Sequence, residues 1–91
     1  MKIPKTLKIG GHIFQVELKE LDGVLGKTTW DKPKIQIDKD VPKTIQEATL
    51  IHEIFHCINT TIDGTHLGHA LLDSLSEQFY QVLKDNHLLR K

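Results

Sequence analysis

The hydrophobic pattern of this 91-residue chain changes near residue 40, and that change restricts the folds open to it. Before this point, short runs of apolar and β-branched residues are separated by glycine, proline and aspartate, which is typical of strands joined by tight turns. After it, apolar residues recur at intervals of three and four, which is typical of amphipathic helices. Strands followed by helices predict an α+β fold.

Four strands are predicted in the first part of the chain, between about residues 6 and 38. Two adjacent glycines at positions 10 and 11 indicate a hairpin between the first two strands. Asp22 with Gly23, and then Asp31 to Pro33, indicate the later turns. We expect a four-stranded, mainly antiparallel sheet with strands at residues 6–9, 12–18, 25–30 and 34–38.

Two packed helices are predicted after the sheet, at about residues 43–60 and 65–86. Thr44 and Glu47 have the spacing of a capping box at the start of the first helix. A helical wheel predicts that the first helix buries Ala48, Ile51, Phe55 and Ile58. The second should pack on both the sheet and the first helix through Leu71, Leu72, Leu75, Phe79, Val82 and Leu83.

Length and charge exclude several classes of protein. Residues 1–91 are enough for one small domain with a single core. Twelve basic and twelve acidic residues cancel, so we expect neither nucleic-acid binding nor attraction to an anionic membrane. No apolar run is long enough for a membrane span or a signal peptide, and the single cysteine fits a reducing compartment. We expect a cytoplasmic protein, monomeric or weakly dimeric.

The most specific pattern is His-Glu-Ile-Phe-His at residues 52–56, inside the first predicted helix. At 3.6 residues per turn, His52 and His56 lie on one face, and both imidazoles can reach one ion at about 2 Å. Glu53 lies about 100° round the axis, beside the ion and further out from the core than the histidines, where it can act as a general base toward water. The pattern predicts zinc-dependent hydrolysis, with His52 and His56 as ligands and Glu53 as the catalytic residue.

A catalytic zinc ion usually has three protein ligands and one open position, so the chain must supply another donor. If the second helix turns back against the first, donors near its start come closest to the histidines. His69 is the first choice and Asp73 the second, with Glu77 and His66 behind them. His12 and His87 lie in the hairpin and the C-terminal tail, and we expect neither at the site. Cys57 should point away from the ion and be buried or half-buried.

Several segments together resemble a group of small phage and prophage proteins. They are residues 26–30, 34–38, 49–56 and 80–86, and the resemblance covers most of the chain. These proteins look like minimal zinc metallopeptidases, similar in pattern to the ImmA/IrrE-like family and more loosely to the SprT-like one. The resemblance implies a zincin-like fold, one zinc ion on His52 and His56, and Glu53 as catalytic base. It also implies a location in the host-cell cytoplasm.

The chain departs from that family in one place. Relatives usually carry a glutamate on the following helix as the third ligand, and this position falls at or near His69.

The substrate of an active enzyme would be an extended peptide beside the outer strand, the one containing residues 28–30 or its neighbour. The alternative is a catalytically weak or inactive protein of the same fold that keeps a zinc site and acts as a regulatory, binding or structural module.

Overall fold

The computed structural model describes residues 2–9, 11–61 and 68–86 of the chain. The strands are β1 (Thr6–Ile9), β2 (His12–Lys19), β3 (Gly26–Thr29) and β4 (Lys34–Asp38). The helices are α1 (Lys43–Thr61) and α2 (His69–Asp85). The expected α+β class is confirmed, with strands first and helices after. Among the described residues, neither helix has the length and hydrophobicity needed to cross a lipid bilayer.

The sheet is mixed, with the order β1-β2-β4-β3. β1 and β2 form the expected antiparallel hairpin, in which Ile9 pairs with His12 and the positive φ of Gly11 suits the tight turn. β3 and β4 form a second antiparallel hairpin. Between the hairpins, β2 pairs with β4 in parallel, a feature that the sequence pattern did not predict. β3 therefore lies at an edge of the sheet.

Helix α1 covers one face of this sheet. Phe14, Val16, Ile35 and Ile37 project from β2 and β4 into the core, where Leu50 and Cys57 of α1 meet them. The rings of Trp30 and Phe14 pack edge to face, with 5.1 Å between ring centroids. The prediction that Cys57 is buried is confirmed.

The predicted buried stripe of α1 was incomplete. Ile51 of the predicted stripe is buried, but the sheet is faced by Leu50, Ile54 and Cys57, about a third of a turn round the helix, and Ile58 is exposed. The predicted stripe partly contacts α2 instead, through Phe55 against Phe79, whose ring centroids are 5.4 Å apart. Because α1 is packed between the sheet and α2, it is apolar on two sides.

The start of α1 also differs from the capping box predicted for Thr44 and Glu47. The helix begins at Lys43, so Thr44 lies inside the first turn and not at the N-cap position. The Glu47 carboxylate instead accepts a 2.9 Å hydrogen bond from the Tyr80 hydroxyl of α2. This bond ties the start of α1 to the middle of α2.

Helix α2 packs on α1 and, among the described elements, on nothing else, so the expected contact with the sheet was wrong. It begins at His69, because the preceding Gly68 has extended backbone. The sequence pattern predicts a start near residue 65, but residues 62–67 lie outside the described part of the chain. On α2, Leu72 and Ser76 are buried, while several apolar residues counted in its predicted packing face remain largely exposed: Leu71, Leu75, Phe79 and Val82.

Candidate metal centre

The two histidines of the pattern lie one turn apart on α1 and point to the same place. Their Nε2 atoms are 2.9 Å apart, and their ring centroids are 4.5 Å apart. Tetrahedral zinc with bonds of about 2.0–2.1 Å requires neighbouring ligand atoms to be about 3.3 Å apart. The spacing of the two nitrogens is therefore close to that of a pair of zinc ligands.

Asp73, in the second turn of α2, completes a group of three. Its Oδ1 atom lies 3.4 Å from Nε2 of His52, and one ligand atom from each of His52, His56 and Asp73 lies within 4.8 Å of the other two. The Asp73 side chain is 42% exposed as a whole, yet Oδ1 is buried and has no hydrogen-bond partner among the described residues. A buried carboxylate oxygen without a partner is costly, and a cation between it and the imidazoles would remove that cost.

His69 lies beside this group. Its Nε2 atom is 3.5 Å from Oδ2 of Asp73, and its ring centroid is 5.1 Å from that of His56. His69 is nevertheless 74% exposed, and the Asp73 oxygen that it contacts is Oδ2, not the Oδ1 that lies near His52. The structure thus brings the first two choices for the third ligand together, with Asp73 nearer His52.

Of the remaining choices, Glu77 lines the cleft next to the group but is exposed. His66 lies outside the described residues, as does His87. His12 is the first residue of β2, at the end of the hairpin.

A buried serine that the sequence pattern did not indicate orients the ring of His52. Ser76 is 1% exposed, and its Oγ atom lies 3.3 Å from Nδ1 of His52. The hydroxyl donates its single hydrogen to the main-chain oxygen of Asp73 at 3.0 Å, so it accepts the Nδ1–H of His52. That tautomer leaves the Nε2 lone pair directed at the group of ligands. The only signal in the sequence was a polar residue on the buried side of α2, three positions after Asp73.

Glu53 lies next to His52 on α1, on the side that faces strand β3. It is 8% exposed, so it lies deeper than the outward position that the wheel predicts. The Thr28 hydroxyl donates a 2.5 Å hydrogen bond to Oε1 of Glu53. Gly26 allows this close approach, because a Cβ atom there would lie 2.6 Å from Cγ2 of Thr49 and 3.3 Å from Oε2 of Glu53. A glycine and a threonine of β3 therefore position the carboxylate.

The surroundings of His56 favour a neutral imidazole. Burial lowers the pKa of His56, and the neighbouring His52 and His69 lower it further, whereas Glu53 and Asp73 act in the opposite direction. Only a neutral imidazole can bind a metal ion, so this environment favours binding. In contrast, burial raises the pKa of the Cys57 thiol to about 11, and Cys57 does not belong to the group of three.

An open cleft of about 440 Å³ adjoins His52, Glu53 and Asp73. One wall is the exposed side of α1 before His52, a second is the segment that leads into β3, and the third is α2. Its lining includes His52, Glu53 and Asp73, so a molecule in the cleft would contact the ligand group and the carboxylate together.

No family model, curated protein or solved structure matches this chain. The basis for assigning a function is therefore the chemistry of the residues in the cleft.

Proposed function

We propose that this protein is a zinc-dependent metallopeptidase with a minimal zincin-like arrangement. His52, His56 and Asp73 would hold the ion, and Glu53 would be the general base. The observation that carries the proposal is the buried Oδ1 of Asp73, which accepts no hydrogen bond from the described residues and lies 3.4 Å from Nε2 of His52, itself 2.9 Å from Nε2 of His56. Two nitrogens and one carboxylate oxygen are a common ligand set for catalytic zinc, with a fourth position open to water or substrate.

Each protein group has a defined task in peptide hydrolysis. Zinc bound here would lower the pKa of water to about 7 and polarise the scissile carbonyl. Glu53 accepts the proton of the attacking water and delivers it to the leaving amine. Thr28 holds the carboxylate in place for both transfers through its hydrogen bond to Oε1. Ser76 keeps His52 in the tautomer that binds metal.

The position of β3 suits a peptide substrate. It is an edge strand that contacts α1 beside Glu53, so an extended peptide can add to the sheet next to the site. Main-chain hydrogen bonds along β3 would then align the scissile carbonyl with Glu53 and the ligand group. This scheme does not need the third-ligand glutamate that the proteins this chain resembles carry at or near position 69. Asp73 supplies the carboxylate one helical turn later.

The test combines metal analysis with peptidase assays. Purified protein should take up one equivalent of zinc, and zinc should raise its melting temperature, because the ion binds the folded state. The zinc form should cleave a fluorescent casein substrate, and chelation should abolish the cleavage. Glu53→Gln should keep zinc and lose at least about a hundredfold in rate, the range expected for removal of a general base. Full activity in Glu53→Gln, or failure to bind zinc, would refute the proposal.

A second candidate is a zinc-binding module without catalysis that acts by contacting a partner. It is favoured by the exposed apolar residues along α2, which include Leu75, Phe79 and Val82. For this candidate, His52→Ala would abolish the biological effect, while Glu53→Gln would leave it intact.

A further inference from the structure

The cleft beside the ligand group has walls of a particular composition. Apolar side chains come from two directions: Val24 and Leu25 from the segment before β3, and Ile45 and Ala48 from the first two turns of α1. Val24 and Leu25 are each 50% exposed, and Ile45 is 38% exposed. Apolar groups that face the same open space are favourably covered by another apolar group.

The wall that Val24 and Leu25 form is fixed in place. The main-chain oxygen of Leu25 accepts a 2.9 Å hydrogen bond from the Asp38 amide at the end of β4. Gly26, the next residue, is paired with Ile37 in the sheet and lies against Thr49 of α1. The apolar surface is therefore held at a constant distance from Glu53, and a ligand finds it already formed.

The charged groups in the cleft are mostly of one sign. Apart from His52, the ionisable residues that line it are Glu53, Asp73 and Glu77. No lysine or arginine is among the lining residues that the structure describes. An acidic side chain entering the cleft would be repelled by Glu53 and Glu77 and would find no cationic side chain, and the proposed zinc ion would be occupied by its own ligands and the scissile carbonyl.

We infer that this cleft is a specificity site that receives an uncharged apolar side chain of the substrate next to the bond that is cut. The inference rests on the proposed peptidase function and adds a substrate class to it. The cleft shares His52, Glu53 and Asp73 with the reacting centre, so the residue that fills it is one of the two that flank the scissile bond.

The experiment is a cleavage profile of the zinc-loaded protein on an unbiased peptide library, with the products identified by mass spectrometry. At one of the two flanking positions, leucine, isoleucine, valine, methionine and phenylalanine should exceed aspartate and glutamate by about tenfold or more, the scale on which an apolar pocket discriminates. Cleavage with no apolar preference at either position would overturn the inference and leave the proposed function intact. Zinc binding without any cleavage would overturn both.

A lysine introduced into the Val24–Leu25 wall tests whether the cleft itself selects the substrate side chain. Val24→Lys should reduce the preference for apolar residues and raise cleavage beside aspartate or glutamate about tenfold. Ile13→Lys is the matched control, because Ile13 is similarly exposed but lies on β2 and does not line the cleft. Both variants should bind zinc as the parent does. Identical profiles for the two variants would show that the cleft does not select the substrate.

Discussion

The Ser76 hydroxyl lies 3.3 Å from Nδ1 of His52, a contact that joins α2 to the first ligand on α1 across 24 residues of sequence. Ser76 is buried and also donates to the main-chain oxygen of Asp73. Ser76 therefore connects the main chain of Asp73 to the imidazole ring of His52. This contact orients His52, and the Thr28–Glu53 hydrogen bond orients Glu53. Each can be removed by a single substitution.

Ser76→Ala should weaken zinc binding by about tenfold, because loss of the hydrogen bond that orients a ligating histidine usually costs 10–100-fold in affinity. Competition with a chromogenic chelator would measure the change. Ser74→Ala is the control, since Ser74 is exposed on the same helix and contacts only Gln78 among the bonds described for it. Equal affinities in the two variants would mean that Ser76 does not orient His52.

Asp73→Asn and His69→Gln should separate the two leading choices for the third ligand. Because Asp73 Oδ1 lies near Nε2 of His52, its loss should lower zinc affinity by more than about a hundredfold, beyond the effect of losing a residue that only supports a ligand. The His69 change should cost about tenfold or less. A larger loss in His69→Gln would instead make His69 the ligand, as the sequence pattern favours.

Thr28→Val removes the donor to Glu53 and leaves the strand geometry intact. The turnover rate should fall about tenfold or more, since misplacing a catalytic group by a fraction of an ångström is already costly. Thr28→Ser keeps the hydroxyl and should restore most of the rate, and zinc content should match the parent in both. An unchanged rate in Thr28→Val would show that the hydrogen bond does not position the base.

Gly26→Ala should destabilise the fold by about 1–3 kcal/mol, the usual cost of forcing an extra carbon into a packed contact. The added Cβ would lie 2.6 Å from Cγ2 of Thr49, so β3 and α1 would have to separate. Gly68→Ala is the comparison, because no atom of the described residues lies within 4 Å of its Cβ position and its φ of −64° suits any residue. Urea denaturation of both variants measures the difference, and equal midpoints would contradict the expectation.

The hydroxyl of Tyr80, the only tyrosine, should ionise at unusually high pH. Burial and the bond to Glu47 raise its pKa to about 12. Since this value exceeds the ordinary value of 10, the group's contribution to folding is complete below pH 10 and is lost as the pH rises from 10 toward 12. Absorbance at the tyrosinate band would give the midpoint. Glu47→Gln should lower the midpoint of Tyr80 ionisation toward 10. A midpoint near 10 in the parent protein would be inconsistent with the Tyr80–Glu47 hydrogen bond.

The sequence by itself determined the elements and the local part of the site. Turn residues and apolar spacing predicted the four strands and two helices, since these signals act over a few residues. The His52–His56 pair was also predictable, because residues four apart in a helix are neighbours whatever surrounds them.

The tertiary structure decided everything that depends on how the elements pack. α1 is apolar on two sides, so a wheel could not choose between the face of Leu50 and that of Phe55, and Glu53 was consequently placed too far out. His69 and Asp73 are four residues apart on one face of α2, so a small shift of α2 along α1 changes which of them meets His52. Such a shift is set by the packing of the whole interface, a property of no single segment.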